Sequence, residues 1–148
     1  MTPGDVLTRM LHAIDELDWD TMRGCFASKV DTDYTSLWGG EPATVPIGEL
    51  IADWQGFAHG LAATQHQTGP VRVGADGLAH THVTASHWLP GADGGESWTV
   101  YGHYVFKLEG DKISSLALRL HHQEGNRDLP AIARERARTD PPRGPVPG

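Results

Sequence analysis

One cysteine, Cys25, is the whole thiol complement of this 148-residue chain, which excludes an internal disulfide framework. Basic runs are missing as well. Lysine and arginine total 12 against 19 aspartates and glutamates, a net charge of -7, so a phosphate-tracking surface is not expected and nucleic acid is excluded as a partner. No stretch approaches the roughly 20 apolar residues that a bilayer-spanning helix needs. No charged start followed by an apolar run suggests export. The expectation is a cytoplasmic protein with no membrane partner, taking neutral or weakly polar ligands.

What is present is enough apolar surface for one core. Hydrophobic residues make up 39% of the positions, which fits a single domain over residues 1–138, followed by a Pro- and Gly-rich tail, 139–148, expected to be disordered. Val6, Leu7, Met10, Leu11, Ile14 and Leu17 recur at helical spacing and predict a first helix from about Pro3 to Leu17. Asp18 reads as the cap of a second short helix through Met22, Cys25 and Phe26. Val30 to Trp38 reads as extended, broken by Gly39-Gly40-Glu41-Pro42, and a third helix carries Leu50, Ile51, Trp54 and Phe57 and ends near Gly60.

From Thr64 the pattern changes to strands separated by turn residues: Thr64 to Val73, Leu78 to Leu89, Trp98 to Leu108 and Lys112 to Leu120. Glu109-Gly110-Asp111 makes a hairpin loop between the last two. Leu129 to Ala137 predicts a final helix. Helices first and strands afterwards give an α+β fold, a cone of helices over a strongly curved antiparallel sheet that encloses a pocket.

Among the ionisable residues His66 stands out, because an imidazole titrates near neutrality and no cluster of other charges explains it. His87 lies on a predicted strand whose same-face neighbours Thr81, Val83, Ala85 and Leu89 are mostly apolar, so burial there demands a partner. Asp15 falls at the edge of the first helix's apolar stripe, where a solvated carboxylate and an active one fit about equally. Tyr34 fits either a core aromatic or a site phenol. Asp33, next to it on the strand, points the other way. His80 and His82 share a strand face opposite His87. With no third ligand evident they read as solvent-exposed, and no metal site is expected. His121 and His122 should point to opposite faces. Trp38, Trp54, Trp88 and Trp98 read as core or pocket wall, with contact to a flat aromatic ligand as the alternative.

The order of Asp15-x-x-Asp18-Trp19-Asp20, Asp33-Tyr34, Thr64-Gln65-His66 and Ser86-His87 resembles the scytalone dehydratase-like and SnoaL-like families of the nuclear-transport-factor-2-like superfamily. The resemblance covers roughly Leu11 to Leu129. It implies that His66 transfers the proton, that Asp15 orients His87 and favours its charged form, and that Tyr34 holds a water. A second family tyrosine is replaced here by Ile14. A substrate-contacting asparagine of the family falls near Tyr101, or near His103 if the register slips; Trp38 and Trp88 complete the expected substrate contacts. The implied chemistry is a cofactor-independent dehydration or isomerisation of a cyclic, enolisable or polyketide-like ketone, with a homo-oligomer, dimer or trimer, as the assembly. A cyclase or epoxide hydrolase of the same fold, or a non-catalytic binding domain, are the alternatives, since this fold serves many functions.

Overall fold

The computed structural model describes residues 1–143. Thr2 opens helix α1 (Pro3–Asp15): its hydroxyl accepts from the Asp5 backbone N–H at 3.1 Å while the Asp5 carboxylate accepts from the Thr2 N–H at 3.0 Å, a reciprocal cap. The helix buries Val6, Leu7, Met10, Leu11, Ala13 and Ile14. Burial of a side chain of this size contributes about 1.5–3 kcal/mol, so this stripe fixes which way α1 faces. The helix stops two residues before the expected Leu17, which turns out of it at a φ of 57° with its side chain in the core. Asp15 therefore sits on the last helical residue.

Asp18 caps α2 (Trp19–Gly24) through the Thr21 N–H. Strand β1 (Phe26–Asp33) begins earlier than expected, because the second helix ends at Gly24 and Phe26 is already extended. Tyr34 leaves the strand and Thr35–Trp38 forms one helical turn, α3, rather than the end of a strand. After β2 (Ala43–Pro46), which was not anticipated, α4 (Ile47–Ala58) follows the proline. Gly60 serves packing rather than a left-handed cap: a Cβ there would lie 1.6 Å from the Ala133 carbonyl oxygen.

The remaining strands are β3 (Ala63–Thr68), β4 (Arg72–Val73), β5 (Ala79–Trp88), β6 (Ser97–Glu109) and β7 (Lys112–Gly125), and α5 (Leu129–Thr139) closes the fold. The sheet runs β2-β1-β7-β6-β5-β3, with β4 also on β5. It is antiparallel except where β1 lies parallel to β7. Gly110, at a φ of 58°, turns the β6–β7 hairpin. Two register shifts in that hairpin, at Tyr101/Gly102 and at Lys107/Leu108, bend the long strands, as bulges do. The concave face carries Val83, Ala85, Trp98, Val100, Tyr104, Phe106, Leu116 and Leu118 against α1 and α4.

The start of the tail departs from the expected disorder. α5 extends to Thr139, and the Arg143 guanidinium donates to the carbonyls of Leu61 (2.9 Å), Ala58 (3.0 Å) and Asp15 (3.1 Å). The rest of the expected tail, residues 144–148, lies outside the described residues.

Candidate active site

Helix α1 delivers Asp15 against the start of β3. Its carboxylate accepts from the Thr64 hydroxyl at 2.8 Å, from the His66 backbone N–H at 2.9 Å and from His66 Nδ1 at 2.7 Å. Burial alone would raise this carboxyl's pKa, but the His66 hydrogen bond and charge, with those of the backbone and Thr64, outweigh it and hold Asp15 below the ordinary carboxylate range. An acceptor-only carboxylate fixes the hydrogen on Nδ1. In the neutral imidazole, Nε2 of His66 then keeps the lone pair that a general base needs.

The expected pairing of Asp15 with His87 is not what forms. His87, directly across the β3–β5 ladder from Thr64, instead donates from Nδ1 to the Trp98 carbonyl at 2.9 Å and stacks on the Trp98 ring with centroids 4.6 Å apart. Burial, reinforced by the His66 charge, pushes its pKa down to about 4, against a smaller upward pull from the Trp98 carbonyl. His87 is therefore neutral at pH 7, not cationic, and its Nε2 can only accept. The two imidazoles meet edge to face, centroids 6.2 Å apart.

Both rings line a cavity of about 300 Å³ with walls of Ile14, Trp54, Phe57, Trp98, Val100 and Leu118. Tyr34 and Tyr104 line it as well, as neighbouring phenols. Burial above all, together with the neighbouring Tyr104, lifts the Tyr34 pKa well above the usual phenol range, and burial pushes Tyr104 up to about 12. Both phenols stay protonated, so each can donate to a ligand in the cavity.

Sequence reading missed Tyr104, although strand alternation from Trp98 through Val100 marks it as inward. The two positions considered in its place face outward: Tyr101 stacks on His122 (5.9 Å between centroids) and His103 sits among other histidines. Trp88 is 39% exposed and does not line the cavity, which corrects its expected role, whereas Trp38, 54% exposed, stands at the rim with its ring 5.6 Å from that of Trp98. The rim also holds Glu41 and an ion pair between Arg134 and Asp53 (3.2 Å), with the guanidinium 5.7 Å above the Phe57 ring.

Two further histidine expectations change. His80 is buried, not solvent-exposed, while His82 is exposed as expected. The bulge that pairs Tyr101 with His122 but Gly102 with Leu120 leaves His121 extra, so His121 and His122 both reach the outward face.

The model of the SnoaL-like domain matches residues 4–112. The chain belongs to the SnoaL-like domain family. Among solved structures, the Kfla4162 protein of Kribbella flavida is similar at 28% identity, over 86% of this chain and 93% of that one, with a TM-score of 0.76. A candidate scytalone dehydratase from Novosphingobium aromaticivorans aligns at 14% identity, over 83% of this chain and 84% of that one, TM-score 0.69. The epoxide hydrolase/cyclase-like enzyme SalBIII, of pyran ring formation in the polyether salinomycin, aligns at 13% identity, over 83% and 95%, TM-score 0.67. At such identities the last two speak to the fold alone, the nuclear-transport-factor-2-like cone. A search of curated proteins returned no match. Among the described residues of this SnoaL-like chain, no helix is long and apolar enough to cross a membrane.

Proposed function

We propose that this SnoaL-like protein is a cofactor-independent lyase or isomerase acting on a cyclic, enolisable ketone. The observation that carries the reading is the Asp15–His66 pair, 2.7 Å apart, presenting an imidazole to an aromatic-walled cavity that also holds two protonated phenols.

In a dehydration, His66 Nε2 takes the proton on the carbon beside the carbonyl, and that C–H electron pair moves into an enolate. Tyr104, backed by Tyr34, donates to the enolate oxygen as its charge develops. Asp15 stabilises the imidazolium that His66 has become. Collapse of the enolate forms the C=C bond and breaks the β C–O bond, while His66 returns its proton to the departing hydroxyl, so water leaves and no redox change occurs. His87 accepts a hydrogen bond from a substrate hydroxyl through Nε2. General acid-base transfer contributes about 10²- to 10⁴-fold. The rest of the acceleration belongs to orientation in a pocket lined by Trp54, Phe57 and Trp98.

The same proton logic suits ring closure, in which His66 deprotonates a hydroxyl that adds to the β-carbon of an enone, the C=C π pair moves into an enolate, and His66 returns the proton to the α-carbon. An epoxide hydrolase would want carboxylates gathered around a water, and the interior here offers histidines and phenols. A passive binder has no use for a carboxylate spent on orienting an imidazole. The test is a panel of cyclic β-hydroxy ketones incubated with the protein in D₂O. The proposal expects enone absorbance and deuterium at the α-carbon for at least one scaffold; ligand binding with neither signal across the panel would favour the binder.

A further inference from the structure

Four of the nine histidines gather on the outward face of the sheet, opposite the cavity: His80 and His82 on β5, His103 on β6 and His121 on β7. His82 and His103 are register partners. His80 Nδ1 lies 3.0 Å from His103 Nε2, and the rings of His82, His103 and His121 form a triangle with centroid separations of 5.5, 5.9 and 6.2 Å.

Behind them stands a carboxylate. Asp76 accepts from His80 Nε2 at 3.1 Å, which fixes the tautomer in which His80 Nδ1 accepts from the His103 Nε2–H; a metal ion would take the place of that shared hydrogen. Gly74 preserves the space for this pair: a Cβ there would fall 2.8 Å from Asp76 Oδ1 and 3.1 Å from His80 Nε2.

We propose that this face binds a divalent first-row ion that prefers imidazole, such as zinc or nickel, anchored by His80 Nδ1 and His103 Nε2 and completed by His82 or His121. Zinc–nitrogen bonds of about 2.0–2.1 Å in tetrahedral geometry set ligand nitrogens roughly 3.3 Å apart, close to the separation of the anchoring pair. A carboxylate holding the far nitrogen of a ligating histidine is the usual outer partner of such a site. As the side chains stand, no three such donors converge on one point among the described residues, so the third ligand comes by rotation of the exposed His82 or His121. Arg119, across the ladder from His103, opposes a cation. A bound ion would tie β5 to β6, and through His121 to β7 as well, strands whose inner faces carry His87, Tyr104 and Leu118.

The test is calorimetric titration of the untagged full chain with zinc and, separately, with nickel. Saturable one-to-one binding is expected, weakened about tenfold or more by His103→Ala and by the outer-partner change Asp76→Asn. His103 is half-exposed, so His103→Gln serves where the alanine variant fails to fold. The double variant His66→Ala/His87→Ala should bind as the wild type does. Undiminished binding in both His103 variants, loss of binding in the pocket double variant, or no saturable binding by the wild type would each overturn the proposal.

Discussion

The Asp15 carboxylate and His66 Nδ1 lie 2.7 Å apart, and the same carboxylate also takes the His66 backbone N–H at 2.9 Å, so one side chain fixes both the position and the tautomer of the imidazole. This divides the labour between the two pocket histidines. His66 is the base held by an acid, and His87 is a neutral acceptor held by a backbone carbonyl.

Asp15→Asn keeps the shape but removes the charge that supports an imidazolium. Turnover should fall by about 10²- to 10⁴-fold. Loss of charge-assisted hydrogen bonds should cost about 1.5–3 kcal/mol in urea unfolding. Because Asp15 is depressed in the folded state, its contribution is present above the unfolded carboxylate pKa and fades as pH falls through the lower folded value. The wild-type and Asn curves should therefore converge in strong acid.

His87 gives a pH dependence of the same sign in a higher window. Its folded pKa of about 4 lies below the unfolded 6.5, so between these values the unfolded chain binds a proton that the folded chain refuses, and stability is lost as pH falls from 6.5 to about 4. The loss amounts to about 3 kcal/mol. In His87→Gln the same window should be flatter by roughly that amount when stability is followed by denaturant titration.

Tyr104→Phe removes the phenol nearest the enolate oxygen and should cost about 10²- to 10³-fold in kcat. Tyr34→Phe should cost less, and the double variant little more than Tyr104→Phe alone, because the two neighbouring phenols serve the same oxygen. Additive losses in steady-state kinetics would mean two independent donors.

The neighbouring tryptophans Trp38 and Trp98 should separate binding from folding. Trp38 is half-exposed at the rim, so Trp38→Ala should raise KM while changing stability by no more than about 0.5 kcal/mol. Trp98 is 2% exposed and its Nε1 donates to Gln123 at 2.9 Å, so Trp98→Ala should destabilise by about 3–5 kcal/mol. Thermal melts alongside kinetics read both.

The helices and the inward face of β5 were legible because periodicity reports burial directly. Val6 to Ile14 and Val83 to His87 lie where their spacing places them. Asp15 at the edge of its stripe was legible too, but its partner was not. The choice between His66 and His87 depends on how α1 docks on β3, a tertiary contact with no local signal. Tyr104 could have been found by alternation; counting positions from a family pattern led to Tyr101 and His103, one residue out of phase and hence on the wrong face. His121 and His122 were misread because a bulge adds a residue that period-two reasoning does not contain. The buried His80 likewise depends on Asp76 across a turn and His103 on the next strand.

The central claim is that His66 moves the proton, and the most direct measurement is deuterium exchange at the α-carbon of a bound cyclic ketone, wild type against His66→Ala, with affinity read in parallel by calorimetry. The expected result is exchange abolished to the solvent rate with Kd changed by less than about tenfold, since the aromatic walls are intact. Exchange at the wild-type rate in a folded, ligand-binding His66→Ala protein would contradict it.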